Sequence, residues 1–317
     1  FERAFGTYIN PNQTWQSPVV RLALGLPVTT SLQAYSEANG FDRPLSDKMS
    51  ADVLGKFKES VLVNLDGTAA QMTEHLSQLP SPALVHFEQY LRGGFDKEYP
   101  DHLPPNAWFG TSAEFTNFLG QCRQAGLLSM PYTNPTWWCD NPRGPTFLAA
   151  GTAPLLIKLD GSNSYENYSG NDGYTVCHWH PDVQAANRAI RDEFVTNYPV
   201  DILFEDQVGA RTWQYDLNAA SPTPYAYAAG MAAQAAENSQ SLPLSTENGW
   251  DRVINYETQF SGMSWGLVPT ENPPDWREFL RDRFDPATWQ VFPLAQYLAH
   301  DKLSMIHHDL GQFVTNE

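Results

Sequence analysis

Residues 200–209 constrain the fold more than any other stretch, because they join a buried strand to a pair of acids. Four of the first five residues are apolar, and Glu205, Asp206 and Gln207 follow them. A short apolar run bounded by turn residues is typical of a strand buried in a parallel sheet. Residues 182–198, just before it, carry apolar side chains at helical spacing. A helix followed by a buried strand with acids at its carboxyl end is the pattern of a β/α barrel, whose active site lies at that end.

Alternation along this strand decides which acid faces the barrel interior. Successive side chains point to opposite faces of a sheet. Asp206 therefore shares a face with Phe204, and Glu205 takes the other face. We predict that Asp206 reaches a central pocket. The alternative is that both acids end the strand in solvent.

The composition is acidic, with 19 Lys and Arg against 36 Asp and Glu and a net charge of −17. Because so few basic residues are available to neutralise phosphates, we expect neither nucleic acid nor an anionic membrane as a partner. With 317 residues, 42% of them hydrophobic, the chain can form one barrel of about 250 residues with insertions. Its 10 Trp and 14 Tyr could line a sugar site, although a large core uses such side chains as well.

Strands and helices alternate from residue 83 onward, which favours an α/β fold of the (β/α)8 TIM-like barrel type with long loops after its strands. A capping box at Thr111 and Glu114 begins one of the predicted helices. The predicted strands are 83–87, 127–132, 173–177, 200–204, 242–245, 259–265 and 302–306, and the predicted helices are 111–124, 182–198, 225–238, 276–283 and 286–300.

The first 80 residues form an N-terminal extension in this interpretation, and residues 81–317 form the barrel. Possible strands at 18–26 and 59–65 and a short helix at 72–79 could join the barrel. No last strand is obvious before the chain ends, so it either lies beyond this chain or comes from the N-terminal region. The chain begins at Phe1, and we take it to be a piece of a longer protein.

Three acids that are far apart in sequence each follow a predicted strand. A β/α barrel would bring Asp206, Glu247 and Asp309 onto one rim. Glycosidic cleavage needs a carboxylate at the anomeric carbon and a carboxylic acid at the leaving oxygen. A third acid, here Asp309, can raise the pKa of the second or hold a sugar hydroxyl. Seven other side chains near the strand ends are predicted to bind the sugar: Tyr132, Asn134, Trp137, Trp138, Trp179, Gln207 and His308.

Motifs for a metal or a cofactor are weak. His178 with His180, and His307 with His308, could ligate a metal, but no clear third and fourth ligand accompanies them. The chain has no glycine-rich phosphate loop and no Gly-x-Ser-x-Gly elbow. Its three cysteines have neither metal spacing nor the surroundings of a nucleophile. We therefore predict no metal and no cofactor.

Residues 95–105, 130–134, 200–207 and 246–248 carry a resemblance to a known family. They resemble a little-characterised family of glycoside-hydrolase-like barrels that is described only as a domain of unknown function. The similarity spans roughly residues 83–266. A more distant likeness is to α-amylase-type barrels and bacterial endo-α-N-acetylgalactosaminidases. The resemblance implies a barrel that acts on glycans.

The relatives in this resemblance place an Asp nucleophile after the fourth barrel strand and a Glu acid/base after the fifth. Asp206 and Glu247 match that order and are 41 residues apart. In the amylases a His-Asp pair follows strand seven, and His308 with Asp309 resembles it. Amylases have an Arg two residues before the nucleophile, where this chain has Phe204. The resemblance therefore does not extend to an ordinary amylase.

The sequence predicts a glycosidase that cleaves an α-linked bond with retention, with Asp206 as nucleophile and Glu247 as acid/base. Two alternatives remain, an inverting hydrolase that uses the same pair and a non-catalytic barrel that binds carbohydrate. The expected partner is an oligosaccharide or glycan substrate. We also expect the protein to be secreted or periplasmic.

Overall fold

Two sheets and eight α-helices make up the computed structural model, which describes residues 11–12, 14, 22, 24–211, 213–262 and 294–306. The strands are β1 (Val61–Asn64), β2 (Ala83–Phe87), β3 (Leu128–Thr133), β4 (Trp137–Cys139), β5 (Tyr165–Tyr168), β6 (Asn171–Thr175), β7 (Leu203–Gly209), β8 (Leu244–Asn248), β9 (Glu257–Ser261) and β10 (Ser304–Ile306). The helices are α1 (Val28–Asn39), α2 (Ala51–Glu59), α3 (Ala69–His75), α4 (Ser112–Gln124), α5 (Pro145–Ala150), α6 (Pro181–Thr196), α7 (Tyr227–Asn238) and α8 (Leu294–Ala299).

The larger sheet has seven strands in the order β1-β2-β3-β7-β8-β9-β10, and all neighbouring pairs are parallel. Leu62 in β1 and Ser261 in β9 line the same cavity, although four strands lie between β1 and β9 in the sheet. The sheet is therefore curled. In the described residues β1 and β10 lie at the two ends of this order, so the sheet is an open, curled α/β sheet rather than a closed eight-stranded barrel.

The strands of this sheet pack through aromatic and aliphatic side chains on the helices around them. Phe87 in β2 meets Phe115 and Phe118 of α4, with ring centroids 6.0 Å and 5.2 Å apart. All three rings are fully buried. Truncating one of them to alanine would cost about 3–5 kcal/mol, as is usual for a buried Phe. This packing makes the sheet a rigid support for the side chains at its carboxyl edge.

Predicted elements that rest on strong local signals are confirmed. Strand β2 has the predicted bounds, and α4 begins with the predicted capping box. The Glu114 amide donates to Thr111 Oγ1 at 3.2 Å, and the Thr111 amide donates to Glu114 Oε2 at 2.7 Å. The possible strand at 59–65, which the sequence did not place in the barrel, is β1, so part of the N-terminal 80 residues belongs to the main sheet.

The assignment of residues 173–177 to a barrel strand is wrong. Strand β6 lies there, but it pairs antiparallel with β4 and β5 in a separate three-stranded sheet between β3 and α6. The error has a physical cause, because a short apolar run predicts a strand without indicating its partner. Gly173 fits this small sheet because a Cβ there would collide with the Trp137 ring.

Other expectations fall wholly or largely outside the described residues. These are the predicted strand at 18–26 and the helix at 276–283. Of the helix predicted at 286–300, the described part is α8. Within the described residues, no helix combines the length and the apolar character needed to cross a membrane.

Candidate active site

A cavity of about 890 Å³ opens at the carboxyl ends of the parallel strands. We call it the active-site pocket. Its wall contains residues from β1, β2, β3, β7, β8 and β9 and from the loops that follow them. Both Asp206 and Glu247 line it. So do Tyr132 and Gln207, two of the side chains predicted to bind a sugar.

Strand register explains why the two acids meet. Glu205 in β7 pairs with Thr246 in β8, so Asp206 and Glu247 come next along two neighbouring parallel strands. Side chains at equivalent positions of neighbouring strands point to the same face of a sheet. Glu205 points to the opposite face, where Asn238 Nδ2 of α7 donates to its Oε1 at 2.5 Å. This is the alternation predicted from the sequence.

The backbone turns sharply directly after each acid. Gln207 has φ 65° and Asn248 has φ 54°, both in the left-handed region that costs a non-glycine residue about 1–2 kcal/mol. A bulge between Glu205 and Gly209 accompanies this turn. A Cβ at Gly209 would lie 2.6 Å from the Glu247 carbonyl oxygen, so the backbones at the ends of β7 and β8 approach closely. Bulges and strained residues of this kind re-aim side chains beside functional sites.

Asp206 is held by two hydrogen bonds from β3 and the loop after it. Tyr132 Oη donates to its Oδ2 at 2.8 Å, and Asn134 Nδ2 donates to the same oxygen at 3.3 Å. Burial and the nearby charge of Glu247 raise the pKa of Asp206, while the Tyr132 bond opposes the shift. The carboxyl group is thus oriented by fixed donors and electrostatically coupled to the second acid.

A second group of acids lines the same pocket. Asp66 follows β1, Glu88 follows β2, and Asp96 lies further along the loop after β2. Burial, followed by the charges of Asp66 and Asp96, raises the pKa of Glu88. Burial raises the pKa of Asp96 to about 6, although Lys97 opposes the shift. The sequence signal for Asp66 and Glu88 was the same as for Asp206, an acid after a strand, and sequence reasoning missed them.

Arg211 is a further residue that sequence reasoning missed. Its guanidinium donates to Glu166 Oε1 at 2.6 Å, to Gln207 Oε1 at 2.6 Å and to Thr136 Oγ1 at 3.2 Å. Because Glu166 lies in β5, this network ties the small sheet to the end of β7. Thr136 Oγ1 also donates to Gln207 Oε1, at 3.1 Å, so the Gln207 amide is held in one orientation.

Three tryptophans predicted to stack on a sugar lie elsewhere. Trp137 and Trp138 are fully buried, because both faces of β4 are covered. Trp179 is half-buried, and its Nε1 donates to the Ala226 carbonyl oxygen at 2.8 Å. None of the three is among the described residues that line the active-site pocket. The structure therefore does not place these three side chains as exposed platforms in that pocket.

Of the other predicted sugar-binding residues, one lies beside Asp206 and two fall outside the described residues. Asn134 is buried, and its amide contacts Asp206 instead of the pocket interior. His308 and Asp309 lie outside the described residues. Among the described residues, no three His, Cys, Asp or Glu side chains are grouped as metal ligands would be.

Residues 53–223 match a protein family described as a domain of unknown function, DUF6259. The match covers more than half of the 317-residue chain. The chain belongs to the DUF6259 family. No curated protein sequence matches it.

Solved structures of similar fold include glycoside hydrolases. The α-N-acetylgalactosaminidase NagBb from Bifidobacterium bifidum, in complex with GalNAc, superposes with a TM-score of 0.71 at 14% identity, over 87% of this DUF6259 chain and 47% of NagBb. The α-galactosidase TtGalA from Thermus thermophilus, in complex with p-nitrophenyl α-D-galactopyranoside, gives 0.57 at 13% identity, over 92% and 64%. A GH31 family sulfoquinovosidase from E. rectale gives 0.53 at 12% identity, over 74% and 36%.

These identities establish a likeness of fold alone. The DUF6259 chain spans about half the length of NagBb. The likeness agrees with the curled parallel sheet, which corresponds to the larger part of a TIM-type barrel.

Proposed function

We propose that this protein is a glycosidase that cleaves an α-linked glycosidic bond with retention. The observation that carries the proposal is the position of Asp206 and Glu247, which directly follow the paired residues Glu205 and Thr246 on neighbouring strands and line one pocket of about 890 Å³. The names of the structural neighbours support the α linkage, since NagBb and TtGalA are an α-N-acetylgalactosaminidase and an α-galactosidase. A glycan is the proposed substrate, and secretion or a periplasmic location remains part of the proposal.

In this mechanism Asp206 attacks the anomeric carbon while Glu247 gives its proton to the leaving oxygen. The bond from Asp206 to the sugar forms as the glycosidic bond breaks. Glu247, now a carboxylate, then takes a proton from water, and the water oxygen displaces Asp206 from the sugar. The sugar keeps its anomeric configuration because two displacements occur in sequence.

The surroundings of Asp206 suit the first step. Attack requires the ionised carboxylate, and the Tyr132 and Asn134 donors stabilise that form. Three further side chains line the same pocket, Gln207, Asp66 and Glu88, and in the proposal they form hydrogen bonds with sugar hydroxyls. His308 and Asp309 remain proposed sugar-binding residues.

A screen of purified protein on aryl α- and β-glycosides tests the proposal, with the anomer of the first product followed by NMR. We expect turnover of α-glycosides and release of the α-anomer. The β-anomer as first product would instead identify an inverting hydrolase that uses the same two acids. Turnover of β-glycosides alone would contradict the proposed linkage.

The Glu247→Gln variant tests the role of the second acid. It removes the transferable proton, so poor leaving groups should be cleaved about 10²–10⁴-fold more slowly, whereas activated aryl groups depart without protonation. Azide should restore the rate of the second step, because it needs no general base. A loss that is equal for all leaving groups and insensitive to azide would contradict the assignment of Glu247.

Binding of carbohydrate without turnover is the alternative from another class. The acid pair argues against it, since a protein that only binds a sugar has no need of Asp206 and Glu247 lining one pocket. A protein that binds oligosaccharide and hydrolyses no glycoside in the screen would establish this alternative.

A further inference from the structure

A second cavity, of about 950 Å³, lies next to the active-site pocket. Ala210 and Arg211 line both cavities, so the two share a wall just beyond the end of β7. Gly209 and Gly249 also line the second cavity. Both cavities therefore lie along the carboxyl edge of the sheet.

The second cavity lies close to the two acids. Gly209 is three residues after Asp206, and Gly249 is two residues after Glu247. An extended chain spans at most about 3.6 Å per residue, so their Cα atoms are within about 11 Å and about 7 Å of those of the acids. A ligand that fills the active-site pocket and continues past it would enter the second cavity.

Aromatic rings form one side of this cavity. Trp213 and Tyr225 line it, with centroids 6.0 Å apart and planes inclined by 10°. Tyr215 packs against both, at 4.8 Å from Trp213 and 5.5 Å from Tyr225. Trp213 is nevertheless 51% exposed. The indole is thus a flat apolar surface that is held in place by its neighbours and open to a ligand.

The rest of the wall combines small and polar side chains. Ala229 and Ala233 of α7 are exposed and give it a smooth floor. Asn39, Asp251 and Asn255 add amide and carboxylate groups that can bond hydroxyls. Apolar ring faces with a few polar groups suit a sugar ring, which presents C–H groups on its faces and hydroxyls at its edge.

We propose that this second cavity, which we call the aromatic cleft, binds sugar units that adjoin the one held in the active-site pocket. The substrate would then be an oligosaccharide or an extended glycan in preference to a single glycoside. The inference rests on the proposed function only in taking the active-site pocket as a sugar site. The aromatic platform expected from Trp137 and Trp138 is assigned here to Trp213.

Calorimetric binding to the Asp206→Asn variant, which is expected not to turn over its ligand, tests the proposal. The single-sugar probes are N-acetylgalactosamine and p-nitrophenyl α-D-galactopyranoside. The longer probes are stachyose, maltotetraose and oligosaccharides that end in α-linked N-acetylgalactosamine. We expect at least one longer probe to bind tenfold or more tightly than the single sugar at its end. Tenfold corresponds to about 1.4 kcal/mol, within the range of one stacking contact.

Adding Trp213→Ala should remove that gain and leave single-sugar affinity unchanged. Ala229→Trp, which fills the aromatic cleft from the exposed face of α7, should remove it as well. Trp108→Ala is the matched control, because Trp108 is 59% exposed and is not among the residues that line either cavity. A gain that survives both cleft variants, or a panel in which no longer probe binds more tightly, would overturn the proposal.

Two measurements distinguish this inference from the proposed function: turnover tests the glycosidase, and binding of longer probes tests the aromatic cleft. Tight binding of a longer probe that depends on Trp213, in a protein without turnover, would support the aromatic cleft and defeat the glycosidase. Turnover of aryl glycosides, together with binding of longer probes that does not depend on Trp213, would support the glycosidase and defeat the aromatic cleft.

Discussion

The inner and outer faces of β7 each hold one acid, the half-buried Asp206 and the buried Glu205, and the surroundings of the two acids differ. Asp206 on the inner face borders the active-site pocket and accepts hydrogen bonds from Tyr132 and Asn134. Glu205 on the outer face is 2% exposed and accepts one from Asn238. Burial raises the pKa of both. A raised pKa therefore marks burial in this protein, and the cavity beside Asp206 is what indicates function.

The outer face holds a second acid in β9. Glu257 is fully buried, and burial, followed by the charge of Glu205, raises its pKa well above the usual range, although Lys48 opposes the shift. Among the described residues, neither carboxyl oxygen of Glu257 has a hydrogen-bond partner. The Lys48 ammonium donates to the backbone carbonyls of Glu257 and Lys302, at 2.7 Å and 2.6 Å. A buried carboxyl group without a hydrogen-bond partner lowers the stability of the folded protein.

The largest expected effect separates the two faces by activity. Asp206→Asn keeps the shape of the side chain but removes the charge that forms the bond to the sugar, so turnover should fall by about 10⁴-fold or more. Glu205→Gln is the matched control, the same kind of change one residue away. It should leave kcat/KM on aryl α-glycosides within a few-fold of the unmodified protein. Equal losses in the two variants would show that the inner face has no special role.

A smaller effect separates the two faces by stability. A carboxyl whose pKa is higher in the folded than in the unfolded state binds more protons when folded. Stability then falls as pH rises from the unfolded value, near 4.3 for Glu, through the raised folded value. The slope is at most about 1.4 kcal/mol per pH unit for one group. Glu205→Gln should flatten this slope and raise stability at neutral pH, as measured by urea unfolding from pH 4 to pH 8.

Several groups face Glu205 and set the size of this effect. Arg191 and Asn238 favour its ionised form, and Glu257, near Lys48, lies on the same face. The exposed Glu59 at the end of α2 offers a control, because Glu59→Gln changes the same charge on the surface. A pH profile that is the same for the control and for Glu205→Gln would contradict the buried character of Glu205.

The fold was predictable where local signals were strong. The apolar run after residue 200 and the capping box at Thr111 each predicted an element that is present. The partner of a strand was not predictable, because pairing depends on residues far along the chain. Counting 173–177 as the third strand, with the possible strand at 59–65 left unplaced, still put Asp206 after the fourth strand, and β7 is the fourth strand of the parallel sheet in chain order.

The site was predictable for residues that follow a strand directly and not for residues in loops. Strand alternation is enough to direct Asp206 and Glu247 to one face. Trp137 and Trp138 follow β3 too, but a small sheet encloses them, and nothing local distinguishes an enclosed indole from an exposed one. Trp213 and Arg211 belong to the loop after β7, whose path only the folded chain determines.

The smallest expected effect concerns the hydrogen bond that distinguishes Asp206 most directly from Glu205. Tyr132→Phe removes the hydroxyl that donates to Asp206 Oδ2. A hydrogen bond to the ionised form lowers the pKa of a carboxyl group, so its loss should raise the pKa of Asp206. The acid limb of the kcat/KM profile, which reports ionisation in the free enzyme, should therefore move to higher pH. Activity near neutral pH should fall by about tenfold, the equivalent of one hydrogen bond to a charged group, and recover as pH rises. Tyr168→Phe is the control, because Tyr168 lines the same pocket but its hydroxyl hydrogen-bonds Glu166 and Gln207. An acid limb that stays in place in Tyr132→Phe would mean that a group other than Asp206 must ionise for turnover. Asp206 on the inner face would then not be the nucleophile.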